Sequence, residues 1–239
     1  MKLSIAASVA TVLALTSLTQ AAVLVSFDPL PVTTGVPEVV FGGSPKVLDD
    51  AAGFAGSGVG GSAGVQLQTP LAVTSVSGFE SLSNGGTRFT DVSMGLSGFQ
   101  AIVAAQTFLG LIGQGLGDGT FKFTSSAASG AMDLLSGSVT GFGIVAIGGS
   151  DTGSILSANV TYTSGAIYDA LIAIPGATLT GSLSWTLLDS TPSFAIDGDT
   201  FLNAFSANVN GQFSTPVIPE PSALGLLAPA GLLLARRRR

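Results

Sequence analysis

Apolar and polar residues alternate with a period of two along much of this chain. Across residues 177–187, Leu179, Leu183, Trp185 and Leu187 alternate with Thr178, Thr180, Ser182, Ser184 and Thr186. Successive side chains of a strand point to opposite faces, so this spacing predicts a half-buried strand with Trp185 and its leucines facing inward. Phe205, Ala207, Val209, Gly211 and Phe213 alternate with Ser206, Asn208, Asn210 and Gln212 in the same way. A third such strand has Leu156, Ala158, Val160 and Tyr162 opposed to Ser157, Asn159 and Thr161.

Fainter strand patterns cover residues 23–27, 36–41, 71–79, 88–99, 102–109, 120–125 and 139–147. The apolar phase shifts between Phe89 and Val92, which predicts a bulge. Residues 139–147 are apolar on both faces, as in a central strand covered on both sides. One helix is expected from Ser164, with Ile167, Ala170, Leu171 and Ile174 on one face and Pro175-Gly176 as its stop. Residues 53–64, GFAGSGVGGSAG, read as a glycine-rich loop. About ten strands separated by turn residues predict an all-β body, a single antiparallel β-sandwich or jelly-roll-like domain with one short helix.

The pattern changes at both ends of the chain. Met1-Lys2, the apolar run of residues 3–18 and Thr19-Gln20-Ala21-Ala22 have the order of a secretory signal peptide, with a cut after Ala21 and Ala22 as the near alternative. Residues 1–21 are therefore expected as a signal helix that is removed, 22–216 as the body, and 217–239 as a C-terminal addressing segment. That segment holds Pro219-Glu220-Pro221, thirteen apolar positions at 223–235, and the cluster Arg236, Arg237, Arg238 and Arg239. Thirteen helical residues span roughly 20 Å, short of the roughly 30 Å hydrocarbon core, so the run suits a temporary stop. By the positive-inside rule the arginines hold their end in the cytoplasm and leave the body outside.

A Pro-Glu-Pro tripeptide, a short apolar helix and a terminal arginine cluster, in that order, resemble the PEP-CTERM sorting signal, a tail also known by an ice-binding C-terminal label. The resemblance covers residues 217–239. It implies a signal peptidase at one end, an exosortase-type enzyme acting at Pro219, Glu220 and Pro221 at the other, and transient membrane anchoring through the tail. The processed body would then pass to the outer surface or to an exopolysaccharide matrix.

Without its two ends the chain keeps three basic residues, Lys46, Arg88 and Lys122, against thirteen acids, a net charge of −10. Such a body is repelled by nucleic acid and by anionic lipid. The chain has no histidine and no cysteine. A serine triad built on imidazole, the usual zinc and copper sites and disulfide stapling are all excluded by that composition. The glycine-rich stretch 56–61 matches a dinucleotide fingerprint in letters only, because no helix pattern follows it.

Calcium asks only for oxygen ligands, and Asp197-Gly198-Asp199 makes Asp197 and Asp199 the candidate ligands. Asp118-Gly119, Asp151 and Asp49-Asp50 are further acidic turns. Trp185 sits in the apolar phase of its strand and reads as core rather than as a sugar platform. The expectation is a non-enzymatic, structural surface or matrix protein. Two alternatives differ in class: a carbohydrate- or surface-binding module using hydroxyl-rich strand faces, and a glycoside hydrolase built from carboxylates, for which Glu38 and Glu80 are the body's only glutamates.

Overall fold

A computed structural model describes residues 22–29, 37–50, 65–70, 73, 78–83, 85–125, 132–174, 176–198 and 200–216. The signal-peptide expectation for 1–21, the 53–64 loop, Asp199 and the tail 217–239 lie outside these residues. Among the described residues, fifteen strands form one continuous antiparallel sheet, with one helix beside it.

Strands laid end to end trace eight lines around a barrel-like wall. The first line holds β1 (Ala22–Pro29) and β2 (Val39–Gly42), and the second holds β3 (Val47–Asp50) and β4 (Val65–Thr69). The third runs through β6 (Thr87–Ser97) and β7 (Phe99–Gln100), after the two-residue β5 (Glu80–Ser81). The fourth holds β9 (Leu111–Leu116) and β10 (Gly119–Ser125), led in by β8 (Gln106–Phe108). The fifth joins β11 (Asp133–Thr140) to β12 (Phe142–Ile147). The last three are the long strands β13 (Gly153–Ser164), β14 (Thr180–Thr191) and β15 (Phe205–Thr215).

Each line pairs with the next in sequence order. β15 then pairs with β1 and β2, and an isolated Ala101–Leu116 bridge joins the third and fourth lines beyond β7. Closure follows from the right-handed twist of strands, and it leaves most backbone groups with a neighbour on each side. Gly98 (φ 91°) and Gly141 (φ 63°) sit where the third and fifth lines break, in a backbone conformation that side chains with a Cβ disfavour.

The inward phase of the lines is mainly apolar, and aromatic rings from opposite walls meet inside. Phe121 stacks on Phe213 at 4.4 Å between centroids, Phe27 lies 5.5 Å from Phe123, and Trp185 meets Phe27 edge-on at 5.6 Å. Burying each of these side chains stabilises the fold by about 1.5–3 kcal/mol, so the alternating pattern is itself the closing force. Trp185 is buried as its strand phase predicts. The outward phase is polar, with Gln66, Thr120, Lys122, Ser184 and Thr186 among the residues turned out. That is the reverse of a barrel that meets lipid. No described helix is long and apolar enough to cross a membrane.

The expected all-β class with one short helix is the architecture found, but the strands share one closed, barrel-like sheet where two stacked sheets were expected. The predicted bulge near Phe89 is present: Val65 and Leu67 oppose Val92 and Phe89, so β6 carries one extra residue there.

Four strand expectations change, the first because Val73, Gly78 and Phe79, the described residues of 71–79, lie outside any strand. In β13 a register shift between Ser157 and Val160 reverses the phase, turning Ile155 and Ser157 inward and Leu156 outward. Residues 139–147 are not covered on both sides, because Val145 and Ile147 face outward from β12. Of residues 102–109 only 106–108 form a strand, and Ile102, Val103 and Leu109 lie exposed. The helix α1 (Ala166–Ile172) starts at Gly165 without a side-chain cap, since Ser164 is still the last residue of β13.

Candidate functional site

The two ends of the barrel differ in what closes them. At the near end Ala22 pairs with Thr215, so the first described residue and the last strand residue leave side by side. The helix α1 packs there on β11 and β13 and buries Ile167 and Leu171. Ala22, the alternative cleavage residue, begins β1, while Ala21, Pro219, Glu220, Pro221 and the four arginines Arg236 to Arg239 are outside the described residues.

At the far end residues 192–198 and 200–204 fold across the opening. Phe194 and Leu202 are buried there. The Leu202 N–H donates to Gln114 Oε1 at 3.2 Å, and the Ala105 N–H donates to the Thr200 carbonyl at 2.8 Å. Lys46 reaches in, donating to the Leu202 carbonyl at 2.7 Å and pairing with the Asp197 carboxylate. Asp197, a sequence candidate for calcium, thus has a resident cation beside it in the form of an ammonium group. Among the described residues no group of three or more acidic side chains converges as a metal site.

Beside this closure stands a hairpin where the sequence predicts the end of a faint strand, 102–109. β8 and β9 are joined by Leu109-Gly110, with φ values of 51° and 81°. Two positive φ values make the turn of the kind that Asn-Gly or Asp-Gly adopts most easily, and a leucine there is strained by about 1–2 kcal/mol. Phe108 is 72% exposed and Leu109 87% exposed. Leu111 and Ile147, directly paired across β9 and β12, are also exposed, as are Ile102 and Val103. Val103 lies over Gly115, where an added Cβ would come within 2.8 Å of its Cγ2.

From Val92 to Gly117 the chain carries no charged residue. An uncharged apolar hairpin therefore stands out from a strongly acidic body. The signal that could have located it is the Leu-Gly pair in turn position, flanked by Phe108 and Leu111 with no polar residue between.

Midway along the barrel two buried carboxyls bridge breaks in the strand lines. Val209 of β15 lies between Ala207, which pairs with β2, and Gly211, which pairs with β1; its N–H donates to Glu38 Oε2 at 3.0 Å. Leu96 of β6 lies between the stretches facing β3 and β4, and its N–H donates to Asp50 Oδ1 at 3.0 Å. Each side chain supplies the acceptor that the missing strand would have supplied.

Burial pushes the Glu38 carboxyl up to about 7, against the opposing pull of the Val209 N–H and with Asp189 adding to the rise. Burial raises Asp50 too, against the Leu96 N–H, with Asp49 adding. Asp50 Oδ2 and Trp185 Nε1 are buried without a hydrogen-bond partner among the described residues. The sequence placed Asp49-Asp50 in an acidic turn and named Glu38 only as one of the body's two glutamates, whereas Glu38 and Asp50 are both interior. Glu80 remains exposed, 3.6 Å from Arg88.

On the outer wall Ser184 opposes Gln212 and Thr186 opposes Asn210 across β14 and β15, while the Ser182 and Ser214 hydroxyls bond each other at 2.7 Å. Comparison with protein-family models, with curated proteins and with solved structures found no match for this chain.

Proposed function

We propose that this chain is an exported cell-surface or extracellular-matrix protein, sorted through its C-terminal tail by an exosortase-type enzyme, with the body serving as a structural barrel. The observation that carries this reading is the pairing of Ala22 with Thr215. A signal peptide removed after Ala21 and a tail beginning at Val217 would both leave the near end, so one membrane-facing end would hold all the processing chemistry and the far end would point away. A signal peptidase, the membrane and the exosortase are the partners this implies, and nucleic acid is disfavoured by the acidic body.

The interior supports a structural rather than a carrier role. Opposite walls pack through Phe27, Phe121, Phe123 and Phe213 as the two halves of a sandwich do, which makes the body a solid post. The decisive measurement is the intact mass of the protein recovered from its own envelope. A chain ending near Pro219 to Pro221 supports sorting, and a chain still carrying Arg239 overturns it.

A second reading, a carbohydrate-binding wall, is favoured by the hydroxyl and amide ladder of β14 and β15, where Ser184, Thr186, Asn210 and Gln212 lie side by side. Retention on immobilised exopolysaccharide, abolished by replacing Ser184 and Thr186 together with aspartate, would support it. Equal retention of that variant would sink it.

A further inference from the structure

The β2–β3 hairpin is a panel of the wall whose two ends are fastened by different chemistry. At its turn, Lys46 donates to the Leu202 carbonyl at 2.7 Å and pairs with Asp197. At its base Val39 opposes Asp50, so Asp50 and Glu38, the residue before Val39, stand at the same end of the hairpin. Strand pairing stops short of that base on both flanks. β15 pairs with β2 as far as Ala207, and β7 pairs with β3 only at Val47 and Leu48. Beyond those points the carboxyls take over, Glu38 accepting from the Val209 N–H on one flank and Asp50 from the Leu96 N–H on the other.

Both carboxyls are nearly out of water, at 1% and 8% exposure. Asp50 Oδ2 has no hydrogen-bond partner among the described residues, so a charge on that group would be poorly met. The ionisable groups that face the two carboxyls are themselves acids, Asp189 of β14 toward Glu38 and Asp49 toward Asp50. Of the other strands around the base, β2, β7 and β15 carry no ionisable side chain, and β1 and β6 add the acids Asp28 and Asp91. Every base of the body is engaged elsewhere: Lys46 with Asp197, Arg88 with Glu80 at 3.6 Å, and Lys122 with Asp133 at 2.7 Å. No cation is therefore at hand to hold either carboxyl in its charged form, and burial raises both.

We propose that the β2–β3 hairpin is a flap in the barrel wall, closed while Glu38 and Asp50 at its base carry their protons and released when they ionise, turning about the end that Lys46 ties down. Release would uncover the inner side chains Val39, Phe41 and Leu48 and free the β15 edge from Phe205 to Ala207. The sign follows from linkage. A carboxyl that titrates near 7 when closed and near 4.5 when open favours closure most below about pH 4.5 and loses that preference as pH rises through 7. The device belongs to the fold and does not rest on how the chain is sorted.

The test is hydrogen exchange of the full chain, recovered from its own envelope, at about pH 5 and about pH 8 with small additions of denaturant and correction for the intrinsic rate. Amides of residues 39–50, with those of Leu96 and Val209, should lose about tenfold or more of their protection between the two conditions. Their exchange should depend little on denaturant, because a flap exposes little surface, whereas Trp185 and Leu187 in β14 should stay better protected and denaturant-sensitive. Glu38→Gln with Asp50→Asn should hold the hairpin's protection level across the range. Glu38→Gln alone should reduce the change if the double variant does not fold, and the unsubstituted chain gives the pH comparison without any variant.

Hairpin amides that share the protection and the denaturant slope of β14 would show that this panel opens only with the whole barrel, which overturns the proposal. Protection that does not fall with pH, or a fall that persists undiminished in the variants, would overturn it as well.

Discussion

Phenylalanine and leucine occupy two regions of this barrel under opposite conditions. In the interior, Phe121, Phe123, Phe213 and Leu183 come from the inward phase of period-two strands and are buried, and the three rings meet across the barrel. At the far-end hairpin, Phe108 and Leu109 are exposed, and the leucine occupies a strained backbone position. Hydrophobicity in the first region explains the fold. In the second it opposes solubility and adds nothing to the core. The contrast separates residues whose burial stabilises the fold from residues whose exposure does not.

The largest effect that would sharpen this contrast is in the core. Trp185→Ala should destabilise the barrel by about 3–5 kcal/mol through the cavity left among Phe27, Phe142 and Phe213. Trp185→Phe should cost much less, because it also removes a buried N–H that has no acceptor among the described residues. Denaturant unfolding of both variants checks the difference, and equal losses would show that the indole nitrogen has a partner.

Next is the pH dependence set by the buried carboxyls. The folded state holds the Glu38 proton more tightly than the unfolded chain, its value rising from 4.5 to about 7. The stability from this group is therefore fully present below about pH 4.5 and is lost as pH rises through 7, by at most about 3 kcal/mol. The raised Asp50 slopes the same way. Glu38→Gln, whose amide oxygen can still accept the Val209 N–H, should flatten the curve between those limits. A stability that climbs over that range in the wild-type chain would refute the assignment.

Smaller again is the far-end closure. Lys46→Ala leaves the Leu202 carbonyl and Asp197 without their ammonium partner and should cost about 1 kcal/mol, a value reduced by the partial exposure of both side chains. Hydrogen exchange should quicken at Leu202 before it quickens in β14. Smallest, and opposite in sign, is the hairpin: Leu109→Asn should raise the stability of a monomer by a few tenths to about 1 kcal/mol by relieving strain. A loss comparable to the core variants would break the contrast, because Leu109 would then be a folding residue.

Much of the body was legible because its signal is local. Trp185, Leu183 and Leu187 were placed inward by alternation alone, and the Phe89 to Val92 bulge was visible as a phase slip. Errors arose where a pattern had two physical meanings. The apolar run at 102–109 resembles a strand and that at 139–147 a covered one, yet Leu109, Val145 and Ile147 are exposed among the described residues. Leu156 was misplaced because the shift between Ser157 and Val160 is set by pairing with β14. The interior use of Glu38 and Asp50 was not legible, because it depends on strand breaks that bring Val209 and Leu96 beside them from distant parts of the chain.

The sequence by itself determined the all-β class, the inward phase of its strongest strands, the acidic body without imidazole or thiol, and the expectation of addressed ends, since each follows from residue type and short-range spacing. Only the tertiary structure decided that the wall closes on itself, that Ala22 and Thr215 share one end, and that the uncharged hairpin stands at the other. Closure and the sharing of an end depend on which strands meet across long stretches of chain, and period-two alternation carries no information about the identity of a strand's neighbour.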